Sequence, residues 1–160
     1  MIALAGSAEK CEFARHQGAD EAIDYRAEDP VASIRKHTTG SGVDLLLDIA
    51  SGNTLPLLFE ALSTFGVVVS YGFLEGEPAV QTVAAMRKRF GQSPARRLFS
   101  MHSFDALHEL RREVTKSVVK AFAEGAIDPC IYRTFPLRQA PDAHALFEEK
   151  VQRGKLILIP

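Results

Sequence analysis

The sequence has no tryptophan, only two cysteines and almost no excess of charge of either sign. Cys11 and Cys130 are too few for a cysteine-type zinc site or a disulfide framework, so two reduced thiols are favoured over a bridge between them. Lys and Arg (19) nearly balance Asp and Glu (20), which disfavours nucleic acid or an anionic membrane as a partner. No run approaches the roughly 18 apolar residues of a membrane span, and the start is not a secretory signal. These absences predict a cytoplasmic protein.

Several catalytic motifs are also missing. The histidines show no H-E-x-x-H motif and no metal-ligand spacing, so no metal site is predicted. The five histidines are His16, His37, His102, His108 and His144. No G-x-S-x-G elbow is present, which disfavours a hydrolase. The only G-x-G is Gly40-Ser41-Gly42, and Leu45 stands where a dinucleotide fingerprint needs its third glycine.

What the sequence does contain is an alternation of strand and helix signals over its first 72 residues. Ser7 and Asp29 are typical helix N-caps, and the apolar run from Val43 to Ile49 indicates a strand covered on both faces. The alternation predicts a parallel, Rossmann-like sheet with helices on both faces. The predicted strands are 2–5, 22–25, 43–49 and 67–71, and the predicted helices are 8–17, 30–37 and 53–62, the last capped by Asn53.

The second half gives weaker signals. A basic run at residues 87–89 is typical of a solvated helix face or loop rather than a phosphate site. A short strand is predicted over 97–100, followed by a helix over 104–124. The apolar residues of this helix recur every three or four positions, as in a buried stripe; they are Leu107, Leu110, Val114, Val118 and Phe122. In the tail, the sequence predicts an extended piece over 131–135, a helix after Pro141 and a strand over 155–159.

Two groups of polar residues follow predicted strands. The first strand ends at Ala5-Gly6-Ser7 with no carboxylate, which leaves room for a ribose 2′-phosphate that Ser7 and Lys10 can bind. Equally, Ser7 is only a cap and Lys10 only a surface lysine, and Glu9 counts against a phosphate site. Asp48 either lines a ligand crevice or serves as a strand-end hydrogen bonder.

A family resemblance rests on segments that occur in one order along almost the whole chain. They are AGSAEK (5–10), GAD (18–20), IDYRAED (23–29), TGSGVD (39–44), LD (47–48), FPL (135–137), AH (143–144) and GKLILIP (154–160). This set resembles the zinc-free, quinone oxidoreductase-like branch of the medium-chain dehydrogenase/reductases.

The resemblance implies specific roles. Ser7 and Lys10 match positions that hold the 2′-phosphate of NADPH, Tyr25 matches a residue near the adenosine end, and Gly72 and Phe73 match the turn facing the nicotinamide. The implied substrate is a quinone or enone, and the implied assembly is a homodimer paired through the edge strand near Leu98 to Met101. The catalytic residues stay unknown.

The departures from the family are as informative as the matches. A full family member has about as many residues again before this point, including a catalytic domain, the first Rossmann strand and its glycine-rich turn. We therefore expect a sheet lacking its first strand, with a gap that the chain either keeps or closes by moving Ile2–Ala5 beside Val43–Asp48. Residues 1–126 would be a partial nucleotide-binding domain, and 127–160 a segment that packs on the missing domain.

Two functional hypotheses follow. One is an NADPH-dependent reductase present as its cofactor-binding fragment, inactive in isolation. The other is a non-enzymatic remnant that folds by self-association and binds nucleotide weakly or not at all.

Overall fold

The computed structural model describes residues 1–160 and divides into two compact units, Met1–Ser103 and Phe104–Pro160. The first unit alternates strands and helices; a 3₁₀ turn, Phe59–Ala61, precedes its fourth strand. In chain order its elements are β1 (Ile2–Ala5), α1 (Ala8–His16), β2 (Glu21–Asp24), α2 (Pro30–His37), β3 (Val43–Asp48), α3 (Leu55–Leu58), β4 (Leu62–Ser70), α4 (Thr82–Lys88) and β5 (Ala95–Leu98).

All strand pairs of the first unit are parallel, which confirms the Rossmann-like fold class. β1 pairs with β2, and β4 pairs with both β3 and β5. The two sheets are separate, because β1 and β3 form no strand pair. The expected gap is therefore present, and the chain does not close it by moving β1 beside β3.

The helix starts agree with the predicted caps. Ser7 Oγ accepts a hydrogen bond from the backbone N–H of Lys10 at 3.3 Å. Asp29 Oδ1 accepts from the N–H of Val31 at 2.8 Å, and Pro30 takes the first helical position. Each cap satisfies a donor that the helix itself leaves unpaired.

Two buried clusters form the core of the first unit. One contains Leu55, Phe59, Leu62 and Val68, between α3 and the three-stranded sheet. The other contains Ile23, Ile34 and Ala61, with Ile2 of β1 and Val43 of β3 packed against it. The second cluster therefore touches both strands that border the gap.

The prediction that Val43 to Ile49 is covered on both faces is wrong for this chain. Successive side chains of a strand point to opposite faces. Leu46 packs against the first cluster and Asp48 is buried, whereas Leu45 and Leu47 on the other face are 57% and 64% exposed. The two-stranded sheet does bury both faces at β2, where the neighbours Ala22 and Ile23 are both buried.

The region between β3 and β4 also differs from the prediction. Helix α3 begins after Thr54 rather than Asn53 and spans one turn, because the chain turns into β4 at Leu62. Leu62 is fully buried and pairs with Val43, which starts β4 earlier than the valine run suggested. A bulge then separates this pair from the pair of Leu45 with Val67.

The three residues of the basic run, 87–89, differ in their exposure to solvent. Arg87 and Lys88 are exposed, as predicted for a solvated helix face. Arg89 instead donates from Nη2 to the carbonyl of Leu62 at 2.8 Å. Burial lowers the pKa of Arg89, and the neighbouring Arg35 lowers it further.

The second unit contains α5 (His108–Ala123), β6 (Ile131–Pro136), α6 (Ala140–Glu148) and β7 (Lys155–Ile159). β6 and β7 are parallel, and Phe135 and Ala143 are buried. Both strands and α6 were predicted from the sequence.

Two expectations about this half of the chain need correction. The apolar stripe of α5 has the predicted spacing, but all five of its residues are more than two fifths exposed, so the stripe is not buried within this chain. The short strand lies at Ala95–Leu98 rather than 97–100, and Met101 begins a 3₁₀ turn. The boundary between residues 126 and 127 concerns packing on another domain and stays a prediction.

Candidate functional site

The candidate site residues lie where parallel strands end. Gly6 and Ser7 follow β1, Tyr25 follows β2, and Gly72 and Phe73 come shortly after β4. Ligands of open α/β sheets bind in the crevice outside the carboxyl ends of the strands. The structure places the predicted residues in two groups, one on each sheet.

The first group begins with the cap of α1. The Ser7 hydroxyl caps α1, the role it has in the alternative in which Ser7 is only a helix cap. Lys10 follows one turn later, and the first turn of α1 also holds Glu9. The helix N-terminus and Lys10 favour an anion here, whereas Glu9 opposes it.

Tyr25 and Arg26 reach across to the turn after β1. A Cβ atom on Gly6 would lie 2.7 Å from Tyr25 Oη and 3.3 Å from Arg26 Nε. The backbone N–H of Tyr25 donates to the carbonyl of Ala5 at 3.0 Å, which ties the two strand ends together. Glycine at position 6 therefore lets both side chains lie against this turn, in the neighbourhood of Ser7.

Arg26 was not predicted as a site residue. It directly follows Tyr25 within the IDYRAED segment, which was the available signal. Its side chain is exposed, and its backbone N–H donates to Asp24 Oδ1 at 3.0 Å. Together with Lys10, Arg26 gives this turn two cationic side chains.

The second group is held by close backbone packing between two loops. A Cβ atom on Gly72 would lie 2.7 Å from Ile49 Cγ1 and 2.9 Å from the Ile49 carbonyl oxygen. The N–H of Leu74 donates to the same carbonyl at 3.1 Å. Phe73 is about half exposed. The turn at Gly72 and Phe73 thus lies on the loop after β3, with an aromatic side chain available at the surface.

Asp48 is a strand-end hydrogen bonder, which decides between its two interpretations. Its Oδ1 accepts from the N–H groups of Ala50 (3.1 Å) and Ser51 (2.9 Å). Its Oδ2 accepts from Ser70 Oγ at 2.9 Å, and Ser70 Oγ in turn accepts from Arg96 Nε at 3.1 Å. Both carboxylate oxygens are therefore used in joining the ends of β3 and β4.

No three His, Cys, Asp or Glu side chains come together as metal ligands would. A groove of about 560 Å³ runs along α5, and a pocket of about 270 Å³ is lined by apolar residues of α6 and β7 together with His144. None of the predicted site residues lines either one. No helix combines the length and apolar composition needed to cross a membrane.

Comparison with known proteins supports the Rossmann-like fold class. A family model described as zinc-binding dehydrogenase matches residues 17–158. The chain is 28% identical over 164 residues to 2-haloacrylate reductase of a Burkholderia species and 26% identical over 162 residues to quinone oxidoreductase 1 of Escherichia coli. Each match covers 100% of this chain, but only 48% and 49% of those proteins.

Solved structures of two relatives are similar to this chain over almost its whole length. The crystal structure of E. coli quinone oxidoreductase complexed with NADPH matches with a TM-score of 0.89 and 25% identity, over 99% of this chain and 49% of that one. The structure of 2-haloacrylate reductase matches with a TM-score of 0.84 and 26% identity, over 99% and 49%. The chain thus spans about half the length of its relatives. It belongs to the zinc-binding dehydrogenase family, as a quinone oxidoreductase-like member of the medium-chain dehydrogenase/reductases.

Proposed function

We propose that this chain is the NADPH-binding portion of a reductase that transfers a hydride to a quinone or enone. The observation that carries the proposal is the placement of Tyr25 and Arg26 against Gly6, at the turn that also presents Ser7 and leads to Lys10. No carboxylate occupies the end of β1, where an NAD-selective site would use one to bind the ribose hydroxyls. The E. coli relative that matches this chain is a quinone oxidoreductase solved with NADPH.

Each residue has a definite task in this proposal. Lys10, Arg26 and the Ser7 hydroxyl bind the 2′-phosphate, whose charge they neutralise with help from the N-terminus of α1. Tyr25, which is 43% exposed, would help to hold the adenosine end of the cofactor. Gly72 and Phe73 would hold the nicotinamide end, and the glycine lets their turn pack closely on Ile49. When bound, NADPH supplies the hydride, and the protein contributes binding and orientation.

We also propose a cytoplasmic homodimer paired through β5, with no nucleic-acid or membrane partner. β5 is an edge strand of the three-stranded sheet, and Leu98 at its end is largely exposed. Open edge strands tend to pair with other chains.

A second candidate function is a non-enzymatic remnant that folds by self-association. The exposed stripe of α5 favours it, together with Leu45 and Leu47 on the open face of β3. Such surfaces drive association whether or not nucleotide binds. This candidate predicts weak or absent nucleotide binding.

The adenosine end of the cofactor tests the first proposal on the chain as it is. We expect adenosine 2′,5′-bisphosphate to bind more tightly than ADP in calorimetry, because only the former carries the 2′-phosphate. Loss of one charge-assisted contact costs about 1.5 to 3 kcal/mol, so Lys10→Ala and Arg26→Ala should each weaken the bisphosphate about ten-fold or more and spare ADP.

The control is Lys36→Ala, which removes an exposed lysine in the last turn of α2 and should change neither affinity. Equal losses for both ligands in the Lys10 and Arg26 variants would refute the assignment of the 2′-phosphate. Absence of binding by either ligand would favour the non-enzymatic remnant. In a protein that contains both halves of the family's length, NADPH should likewise bind more tightly than NADH.

A further inference from the structure

The groove of about 560 Å³ along α5 is cationic. The residues that line it include Arg111, Arg112, Lys116 and Lys120, and none of the lining residues is acidic. The chain as a whole carries a formal net charge of −1, so the groove concentrates positive charge against the overall balance. A local field of this kind favours a partner that carries negative charge.

The helical repeat arranges these cations in a row. Arg112, Lys116 and Lys120 are four residues apart on α5, so their side chains recur about every 6 Å along the helix axis. Val119 and Ala123 line the same groove, and Val119 is 60% exposed. The groove therefore combines a row of cations with an adjoining apolar strip.

The row is only weakly neutralised within the chain. Lys116, at its centre, forms no ion pair, and the pairs made by its neighbours lie at the exposed surface of the molecule. Exposed ion pairs contribute little to stability, so an acidic partner can replace them at small cost. The neighbouring pairs are Arg111 with Asp105, Arg112 with Glu109 at 3.4 Å, and Lys120 with Glu124 at 3.7 Å.

The row of cations and the apolar stripe of α5 lie on different faces of the helix. Val114 of the stripe and Lys116 of the row are two residues apart, which places them on opposite sides of the helix axis. An element that covered the stripe would leave Lys116 accessible. The groove is thus a second surface of α5, with its own chemistry.

We propose that this groove binds an acidic amphipathic helix of a partner protein. Carboxylates repeated every four residues along a helix have the same spacing of about 6 Å as the row of cations. Small apolar side chains beside them would cover Val119 and Ala123. A bilayer surface is flat and does not enter a groove. The groove also has no aromatic side chain on which a nucleic-acid base could stack.

Fluorescence anisotropy tests this on the full chain. The probe is a labelled synthetic helical peptide of about 18 residues, with Glu at every fourth position and Ala or Leu on the adjoining face. We expect saturable binding that weakens as salt rises, because salt screens exposed charge pairs. The same peptide with Gln in place of each Glu should not bind at the same concentrations.

Matched charge changes locate the site. Lys116→Glu combined with Lys120→Glu should weaken binding about ten-fold or more, because two attractions become repulsions. Lys36→Glu combined with Lys88→Glu changes the net charge equally, at exposed positions of α2 and α4, and should leave binding almost unchanged. Lys116→Gln alone, which breaks no ion pair, should weaken binding about two-fold or more. Circular dichroism checks that the variants fold alike.

Several results would overturn the proposal. Equal weakening by the two double variants would show that the attraction depends on net charge rather than on the groove. Equal binding of the Glu and Gln peptides would show that carboxylates are not recognised. Tighter binding to vesicles of phosphatidylserine and phosphatidylcholine, or to single-stranded DNA, that is lost on changing Lys116 would assign the groove to a membrane or to nucleic acid instead. None of these outcomes depends on whether the chain binds NADPH.

Discussion

The carboxylate of Asp48 accepts a hydrogen bond from Ser70 Oγ at 2.9 Å, linking the last residues of two neighbouring parallel strands. Both side chains are almost fully buried. The two residues are paired in the β3–β4 register, so the bond runs directly between adjacent strand ends. It fixes the point from which the loops carrying Ile49 and Gly72 depart.

The buried hydrogen bond between Ser70 and Asp48 predicts that a substitution at Ser70 destabilises the chain. Ser70→Ala should lower the free energy of unfolding by about 1 to 3 kcal/mol, because it leaves a buried carboxylate oxygen without its donor. The control is Ser63→Ala, which removes a similar bond from Ser63 Oγ to Asp44 at 2.6 Å on the exposed surface. Urea unfolding of both variants measures the difference. Similar losses at the two positions would show that burial of Asp48 is not the cause.

The close approach at Gly72 gives a second prediction. Gly72→Ala should destabilise the chain, because the added Cβ would meet the Ile49 carbonyl at 2.9 Å and backbone must shift. Gly91→Ala is the matched control, since nothing lies within 4 Å of its Cβ position. Thermal melts of the two variants compare them. An unchanged melting temperature for Gly72→Ala would contradict the packing described here.

The pH dependence of stability reports on Cys11. Burial raises the pKa of the Cys11 thiol above its ordinary value of 9.0, and the Asp24 carboxylate raises it further. The unfolded chain therefore loses this proton first as pH rises. The contribution of Cys11 to stability is intact below about pH 9 and is lost from there up to the folded-state pKa.

Urea unfolding between pH 8 and pH 10.5 measures this effect. The wild-type chain should lose stability more steeply above pH 9 than Cys11→Ala, by up to about 1.4 kcal/mol per pH unit. Cys130→Ala serves as the control and should keep the wild-type slope. Parallel curves for the wild type and Cys11→Ala would refute the prediction.

The isolated chain should not turn over. We expect no appreciable oxidation of NADPH with a quinone acceptor, because the chain has no G-x-G-x-x-G turn to hold the pyrophosphate. A steady-state absorbance assay with purified chain measures this. Turnover near the typical ~10 per second would mean that the alignment with the family is wrong in an essential way.

The assembly prediction concerns β5. We expect a homodimer of twice 17.5 kDa at micromolar concentration. Leu98→Lys should shift it towards monomer, because charge on an edge strand opposes pairing. Val80→Lys, a change at a more exposed apolar residue outside the strands, is the control and should leave the dimer intact. Light scattering measures the mass of the particle, and a monodisperse wild-type particle near 17.5 kDa would refute the dimer.

Local features were predictable because their causes lie within a few residues. Ser7 and Asp29 cap helices through hydrogen bonds to residues two or three positions on, so the sequence pattern alone located α1 and α2. The final strand, Lys155–Ile159, was likewise evident from its apolar run. The alternation of strand and helix signals added the parallel sheet, and the ordered family segments added the expectation of a gap.

Tertiary structure decided which apolar faces are covered and which distant side chains meet. The spacing of the α5 stripe and of Leu45 and Leu47 shows where apolar faces lie, but burial depends on whether another element packs there. Arg26 escaped notice because its approach to Gly6 joins residues 20 positions apart, across two strand ends. The sequence by itself determined local conformation and family, whereas the contact of Tyr25 and Arg26 with the turn at Gly6 was decided by tertiary structure, because only folding brings those segments together.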